Sequence, residues 1–212
     1  MERFIPQNWR NWTVAFPVLL VASLIPALIG AVTSSNWQSA FLAAMTMVFI
    51  LAPLPFQART GIYIPRVFSF ALALFVYATL FLGEANRFYY DVWWWDVMLH
   101  SGSAFAFGLL GLIVLMLSVS KQTIQAKPIV LSVFAFSFAL MIGVLWEIFE
   151  FTGDQLFNMN MQKDGLMDTM WDFIVNTIGA FVAAVIGYFY LTPNTPATPF
   201  DPVLEKVVEG NR

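Results

Sequence analysis

No cysteine occurs among the 212 residues. That absence excludes disulfides, thiolate metal sites and cysteine nucleophiles together, and it carries no information about compartment. Histidine is almost as scarce, with His100 the only one. Charge is thin: Asp, Glu, Lys and Arg supply 11% of the residues, where a soluble domain carries about 25%. The net charge of −3 comes without any basic patch, so nucleic acid is not an expected partner.

What the chain does hold is apolar sequence, at 59% hydrophobic residues and a mean hydropathy of +0.74. It is gathered into six blocks, near Thr13–Val32, Ser39–Phe56, Val67–Leu82, Val97–Ser118, Pro128–Phe151 and Trp171–Leu191. Each is 16 to 24 residues long, close to the roughly 20 that a helix needs to cross a bilayer. The expected fold is all-α: a polytopic membrane protein with a six-helix transmembrane bundle over residues 1–192 and a polar, proline-rich tail over 193–212. Arg3 and Arg10 before the first block resemble the start of a signal peptide, but the block is long and no small-x-small cleavage site follows. It is read as a retained helix. Pro17 and Pro26 in the first block, and Pro53 and Pro55 in the second, predict bends or early helix ends. The stretch LTPNTPATPF predicts an extended, exposed segment.

The loops suggest an orientation. Arg3 and Arg10 precede the first block, Arg59 and Arg66 separate the second and third, and Lys121 and Lys127 separate the fourth and fifth. The alternate loops are mostly acidic, with Glu84, Asp91 and Asp96 beside Arg87, then Asp154, Asp164 and Asp168 beside Lys163. This bias predicts both termini in the cytoplasm, and hence a multi-pass protein of a prokaryotic cytoplasmic (inner) membrane. Trp93, Trp94 and Trp95, with Tyr89 and Tyr90, predict an aromatic anchor at the opposite interface.

That topology gathers the polar residues. Asp96 and His100 stand i,i+4 at the start of the fourth block. Glu147, Glu150 and Asp154 stand i, i+3, i+7 at the end of the fifth, and Asp168, Asp172 and Asn176 stand i, i+4, i+8 at the start of the sixth. Each set forms one stripe along a helix, and all three fall in the outer leaflet. The first three blocks have no Asp, Glu, Lys, Arg or His in their apolar cores. Gly179, Ala183 and Gly187 form a small-residue seam on the sixth helix, and Gly102, Ala106, Gly108 and Gly111 offer similar close contact on the fourth. The last three helices are therefore expected to pack with their stripes converging.

Carboxylates crowded into a small, partly dry space cannot all stay ionised unless a cation neutralises them. Oxygen donors with one imidazole suit Mg, Mn, Zn or non-haem Fe. The expected metal ligands are Asp96, His100, Glu147, Glu150, Asp168 and Asp172, with His100 and Glu150 as the groups that would carry a proton in catalysis. Plainer readings exist for each residue: Asp96 and His100 as a hydrogen-bonded pair, Glu147 and Glu150 as helix-end acids reaching water, Asp168 as a helix-start acid, Asn176 as a bridge between helices. Convergence favours function, because ionisable groups at membrane depth are costly to keep.

WWWDVMLHSGSAFAFG, WEIFEFTGDQLF and DGLMDTMWDFIVNTIGA resemble the small prokaryotic membrane proteins of the uncharacterised YjdF-like family. The last of these is also similar to the final helix of the VanZ-like proteins, associated with teicoplanin resistance. The resemblance covers about Tyr90 to Gly187. It implies a multispan protein of the cytoplasmic membrane and carries no reaction with it. Other membrane-enzyme patterns fail. A rhomboid-like protease needs a Gly-x-Ser serine and a histidine on a distant helix, and Ser101 and Ser103 crowd the only histidine. Lipid phosphatases of the acid-phosphatase type need two histidines and an arginine clamp. The Ala-Arg pair of CDP-alcohol phosphotransferases does not follow Asp164-Gly165, the longer acid arrays of membrane prenyltransferases do not occur, and no Glu-x2-His or ATP-binding loop is found.

Two functional expectations result. One is a divalent-metal-assisted hydrolase or transferase acting on a lipid or cell-envelope precursor that enters from the outer leaflet. The other is a non-catalytic membrane subunit or binding module, docked on a membrane protein complex, in which the cluster is structural. Transport is the weaker alternative, since acids confined to one leaflet make no path across.

Overall fold

A computed structural model describes residues 7–61, 64, 66–120, 126–157, 160–163 and 165–210. Every regular element among them is helical: α1 (Gln7–Thr33), α2 (Trp37–Leu51), α3 (Pro53–Thr60), α4 (Arg66–Val76) running on into a π-helical stretch (Tyr77–Ala85), α5 (Phe88–Asp91), α6 (Trp95–Ser120), α7 (Pro128–Phe157), α8 (Leu166–Leu191) and α9 (Asp201–Gly210). Six helical segments are long and apolar enough to cross a membrane: Ala15–Thr33, Trp37–Thr60, Arg66–Ala85, Trp95–Val119, Pro128–Leu156 and Leu166–Leu191. They coincide with the six sequence blocks, most of them extended by a few residues. Large apolar side chains such as Ile29, Phe134 and Phe181 face outward, as lipid-contacting helices require.

The prolines act unequally. α1 runs through Pro17 and Pro26 without ending at either, which apolar surroundings and neighbouring helices permit. Pro53 does end a helix: α2 stops at Leu51, and Pro53 opens α3 at the position where its missing N–H is no loss. Gly61 then closes α3 with a φ of 70°, a left-handed conformation that favours glycine. Of the charged residues used to orient the chain, Arg3, Lys121 and Asp164 lie outside the described residues.

The chain forms two compact units, residues 1–95 and 96–212. In the first, Leu24 of α1 packs with Ala43 and Ile50 of α2 and with Ala73 and Val76 of α4. The buried Thr46 hydroxyl donates back to the Leu42 carbonyl at 2.6 Å, so no polar hydrogen is stranded. The π-helical stretch closes at Asn86, whose backbone N–H and side-chain amide both donate to the Phe81 carbonyl, at 3.0 and 2.7 Å. The tryptophan run divides here. Trp93 is 86% exposed and Trp94 is exposed, as an interface anchor should be, but Trp95 is only 8% exposed. Its indole donates to the Ala78 carbonyl at 3.2 Å and meets Phe88 edge-on. Trp95 is thus a packing residue, because that N–H has an inward partner.

In the second unit α6, α7 and α8 close on one another through small side chains, with Ala104, Ala139 and Ala180 at their common centre. The α8 seam behaves as its spacing predicted: Gly179 lies directly against the Ser101 carbonyl, Ala183 against Gly108, and Gly187 against Leu112. On α6 the expectation needs correcting. Gly108 and Gly111 are at helix contacts, but Gly102 has nothing near its Cβ position and Ala106 is exposed. The contact face runs instead through Ala104, one helical row away. After the turns and extended residues of LTPNTPATPF, the chain forms α9, unforeseen in the sequence, which buries Leu204, Val207 and Val208. Phe200 meets Phe105 edge-on and helps seat this end of the chain on α6.

Candidate functional site

Three helices bring the polar stripes of the second unit to one end of the bundle. α6 begins there, α7 ends there and α8 begins there, so Asp96 and His100, Glu147 and Glu150, and Asp172 and Asn176 meet at similar depth. The helices approach closely because Gly143 faces Asn176 and Gly179 faces Ser101. The cluster is buried: Glu147 and Asp172 are each 3% exposed, Glu150 8% and His100 9%.

His100 stands at the centre. Its Nε2 lies 3.6 Å from Asp96 Oδ1 and 3.8 Å from Asp172 Oδ1, and its Nδ1 lies 3.9 Å from Glu147 Oε1. The Asn176 amide nitrogen is 3.5 Å from the same Nδ1. All three carboxylate separations exceed hydrogen-bond length. Two groups of residues each offer ligand atoms lying within 4.8 Å of one another: Asp96, His100 and Asp172, and then Glu147, Glu150 and Asp172. Asp172 belongs to both.

The remaining contacts show which oxygens have partners. Lys163 donates to Asp96 Oδ2 at 2.8 Å, and the Trp146 indole donates to Glu150 Oε1 at 2.9 Å. Among the described residues, both oxygens of Glu147 and Oδ2 of Asp172 are buried with no partner at hydrogen-bond distance, the Thr169 hydroxyl being a neighbouring polar group that interacts with Glu147. Burying an ionised carboxylate in this way costs several kcal/mol unless a cation compensates it. Four carboxylates face one ammonium here, so Lys163 alone does not balance their charge.

Of the six residues expected as ligands, five fall in these two groups. Asp168, half-buried in the first turn of α8, lies outside both. An acid there suits the helix N-terminus. Asp154 continues the α7 stripe but faces the α7–α8 connection, accepting the backbone N–H groups of Met161 and Gln162 at 2.7 and 2.9 Å. These bonds help fold the segment that carries Lys163 back to Asp96, and Gln162 further donates to Thr169 at 2.7 Å. The sequence offered one hint of the Lys163 contact, a single cation in an otherwise acidic loop. It offered none of the Trp146 bond beyond i,i+4 spacing.

Residues 13–193 match the model of a family described as "Predicted membrane protein (DUF2238)". The chain belongs to this family. It is thus an integral membrane protein in contact with lipid, and every residue of the cluster lies inside the matched segment, whereas α9 lies beyond it. The DUF2238 chain is also 30% identical over 138 residues to an uncharacterised protein of Thermotoga maritima, covering 65% of this chain and 70% of that one. No solved structure matches it.

Proposed function

We propose that this DUF2238 protein is a divalent-metal-dependent hydrolase or transferase acting on a lipid or lipid-linked cell-envelope precursor. The observation that carries the reading is the set of buried carboxylate oxygens without hydrogen-bond partners, grouped around one imidazole. First-shell bonds of about 2.0–2.2 Å place neighbouring donor atoms about 3–3.6 Å apart. The 3.6 and 3.8 Å separations of Asp96 and Asp172 from His100 Nε2 are near that spacing and beyond hydrogen bonding. Mg, Mn or Zn would suit the donors, with Mg or Mn favoured by the oxygen-rich balance. The ion would polarise a phosphoryl or carbonyl oxygen or activate water, with Glu150 and His100 carrying protons.

The Lys and Arg distribution supports cytoplasmic termini, which would put the cluster at the outer leaflet of a prokaryotic inner membrane. The resemblance of the last helix to the VanZ-like proteins, associated with teicoplanin resistance, supports a role at the cell envelope. A second reading, a non-catalytic membrane subunit, is favoured by one specific observation. The Lys163–Asp96 ion pair ties the α7–α8 connection to α6 as a structural lace would.

A turnover assay separates the two. Protein purified in detergent would be stripped with chelator, reloaded with Mn, Mg or Zn, and offered phosphatidic acid, a polyprenyl diphosphate and ester lipids. The enzyme reading predicts metal-dependent product that falls at least about a hundredfold in Glu150→Gln and His100→Ala. Metal-independent product, or no product with the metal bound, would overturn it in favour of the structural reading.

A further inference from the structure

The cluster divides into two ligand sets that share a single carboxylate. Asp96, His100 and Asp172 form one, and Glu147, Glu150 and Asp172 the other. A mononuclear site gathers its donors around one point. Here, two sets with one residue in common mark two points, with Asp172 between them. The two oxygens of Asp172 differ accordingly: Oδ1 lies 3.8 Å from His100 Nε2, while Oδ2 is buried without a partner. Glu147, 3% exposed, has both oxygens unpartnered at the second set.

Resting on the metal-dependent reading above, we infer that the site is dinuclear, with Asp172 as the bridging ligand. One ion takes Asp96, His100 and one Asp172 oxygen, and the other takes Glu147, Glu150 and the second Asp172 oxygen. A bridging carboxylate holds two ions about 3.5–4 Å apart, the spacing at which a pair clamps the attacking and leaving oxygens of an in-line displacement. The substrate class this favours is a phosphate ester or diphosphate, whose oxygens can span both ions.

The surroundings agree with two ions better than with one. Four carboxylates and one ammonium sum to a charge of −3 when all are ionised, so a single divalent ion leaves an uncompensated negative charge in a buried site. Two bring these groups to +1 and, with the nearby Asp168 carboxylate counted, to neutrality. His100 also has a suitable second contact. The Asn176 amide, 3.5 Å from Nδ1, holds the ring with Nε2 toward Asp96 and Asp172.

Manganese gives a direct test, because two Mn(II) ions bridged by a carboxylate couple magnetically and show hyperfine lines at half the spacing of an isolated ion. Chelator-stripped full-length protein would be titrated with Mn(II) alone, with bound metal counted and the electron paramagnetic resonance spectrum recorded. The expected result is about two Mn per chain with the coupled pattern. In His100→Ala and in Glu150→Gln it is about one Mn with the isolated-ion pattern, and in Asp172→Asn loss of the coupled pattern. Because Asp172→Asn could disturb folding, His100→Ala and Glu150→Gln carry the test independently. One Mn per wild-type chain with an isolated-ion spectrum would overturn the dinuclear inference and leave the metal-dependent reading standing. No bound Mn, with Mg and Zn equally unbound, would overturn both.

Discussion

Each carboxylate along the end of α7 is held differently, and the differences set what its loss should do. Asp154 accepts two backbone N–H groups from the α7–α8 connection. Bonds to a charged acceptor contribute about 1.5–3 kcal/mol each. The two would sum to about 3–6 kcal/mol, but Asp154 is only half-buried and water replaces part of the loss, so Asp154→Ala should lower stability by about 2–4 kcal/mol, read from thermal unfolding in detergent, with or without metal. Glu147 has the reverse signature, since both its oxygens are buried and unpartnered. Glu147→Gln removes a buried charge that the Thr169 hydroxyl offsets only in part, so in chelator it should melt no lower than wild type and should lose most of its response to added metal. A metal response as large as wild type's would show that Glu147 is not a ligand. Lys163 neutralises Asp96 at 2.8 Å. Lys163→Met should tighten divalent-ion binding by about 1 kcal/mol, roughly fivefold, on a direct titration.

At the scale of elements, the close approach of α6, α7 and α8 determines whether the stripes meet at all. Gly179 lies directly against the Ser101 carbonyl, while Gly102 has open space at its Cβ position. A methyl group at the two glycines should act in opposite directions. Gly179→Ala should destabilise by about 1–3 kcal/mol through overpacking, and Gly102→Ala should stabilise by up to about 1 kcal/mol through helix propensity. Equal effects in a melting experiment would refute the packing described for α8 on α6. This contrast also marks what was legible in the residues. On α8 the i,i+4 run of Gly179, Ala183 and Gly187 identifies the seam, and the adjacent small residue Ala180 packs on the same side. On α6, small residues lie on more than one face, and spacing alone could not choose Ala104 over Gly102 and Ala106. The acid and histidine stripes were legible because charge is so rare in this chain that its periodicity stands out. The contacts of Trp95, Asp154 and Lys163 were not, since each is fixed by where a loop or a neighbouring helix brings a backbone or side-chain partner. α9 is not legible in the residues because ten residues with a narrow apolar stripe look like polar tail until a surface exists to receive Leu204, Val207 and Val208.

For the molecule as a whole, six apolar helices define a multispan membrane protein, and the side on which the cluster lies decides what it can meet. The native chain has no cysteine, so single cysteines report sidedness without background. Trp93→Cys, near the start of α6, and Ala197→Cys, in the exposed segment before α9, should label from opposite sides with a membrane-impermeant maleimide. Cytoplasmic termini predict that intact cells label position 93 and spare position 197; the reverse pattern would turn the cluster toward the cytoplasm. Metal should also raise global stability by mass action, by about 2.7 kcal/mol at a hundredfold excess over the dissociation constant. That corresponds to about 5–11 °C in Tm for a chain of this size.

Divalent-cation binding by the buried, unpartnered carboxylates around His100 underlies both the proposed chemistry and the dinuclear arrangement. Calorimetric titration of Mn(II) into chelator-stripped wild-type protein, alongside Asp172→Asn, tests it most directly. Saturable binding is expected in wild type, with heat and affinity both sharply reduced when the carboxylate common to the two ligand sets is replaced. Wild-type protein that folds and melts cooperatively yet binds none of Mn, Mg or Zn would contradict it, and so would an Asp172→Asn variant that binds them as well as wild type does.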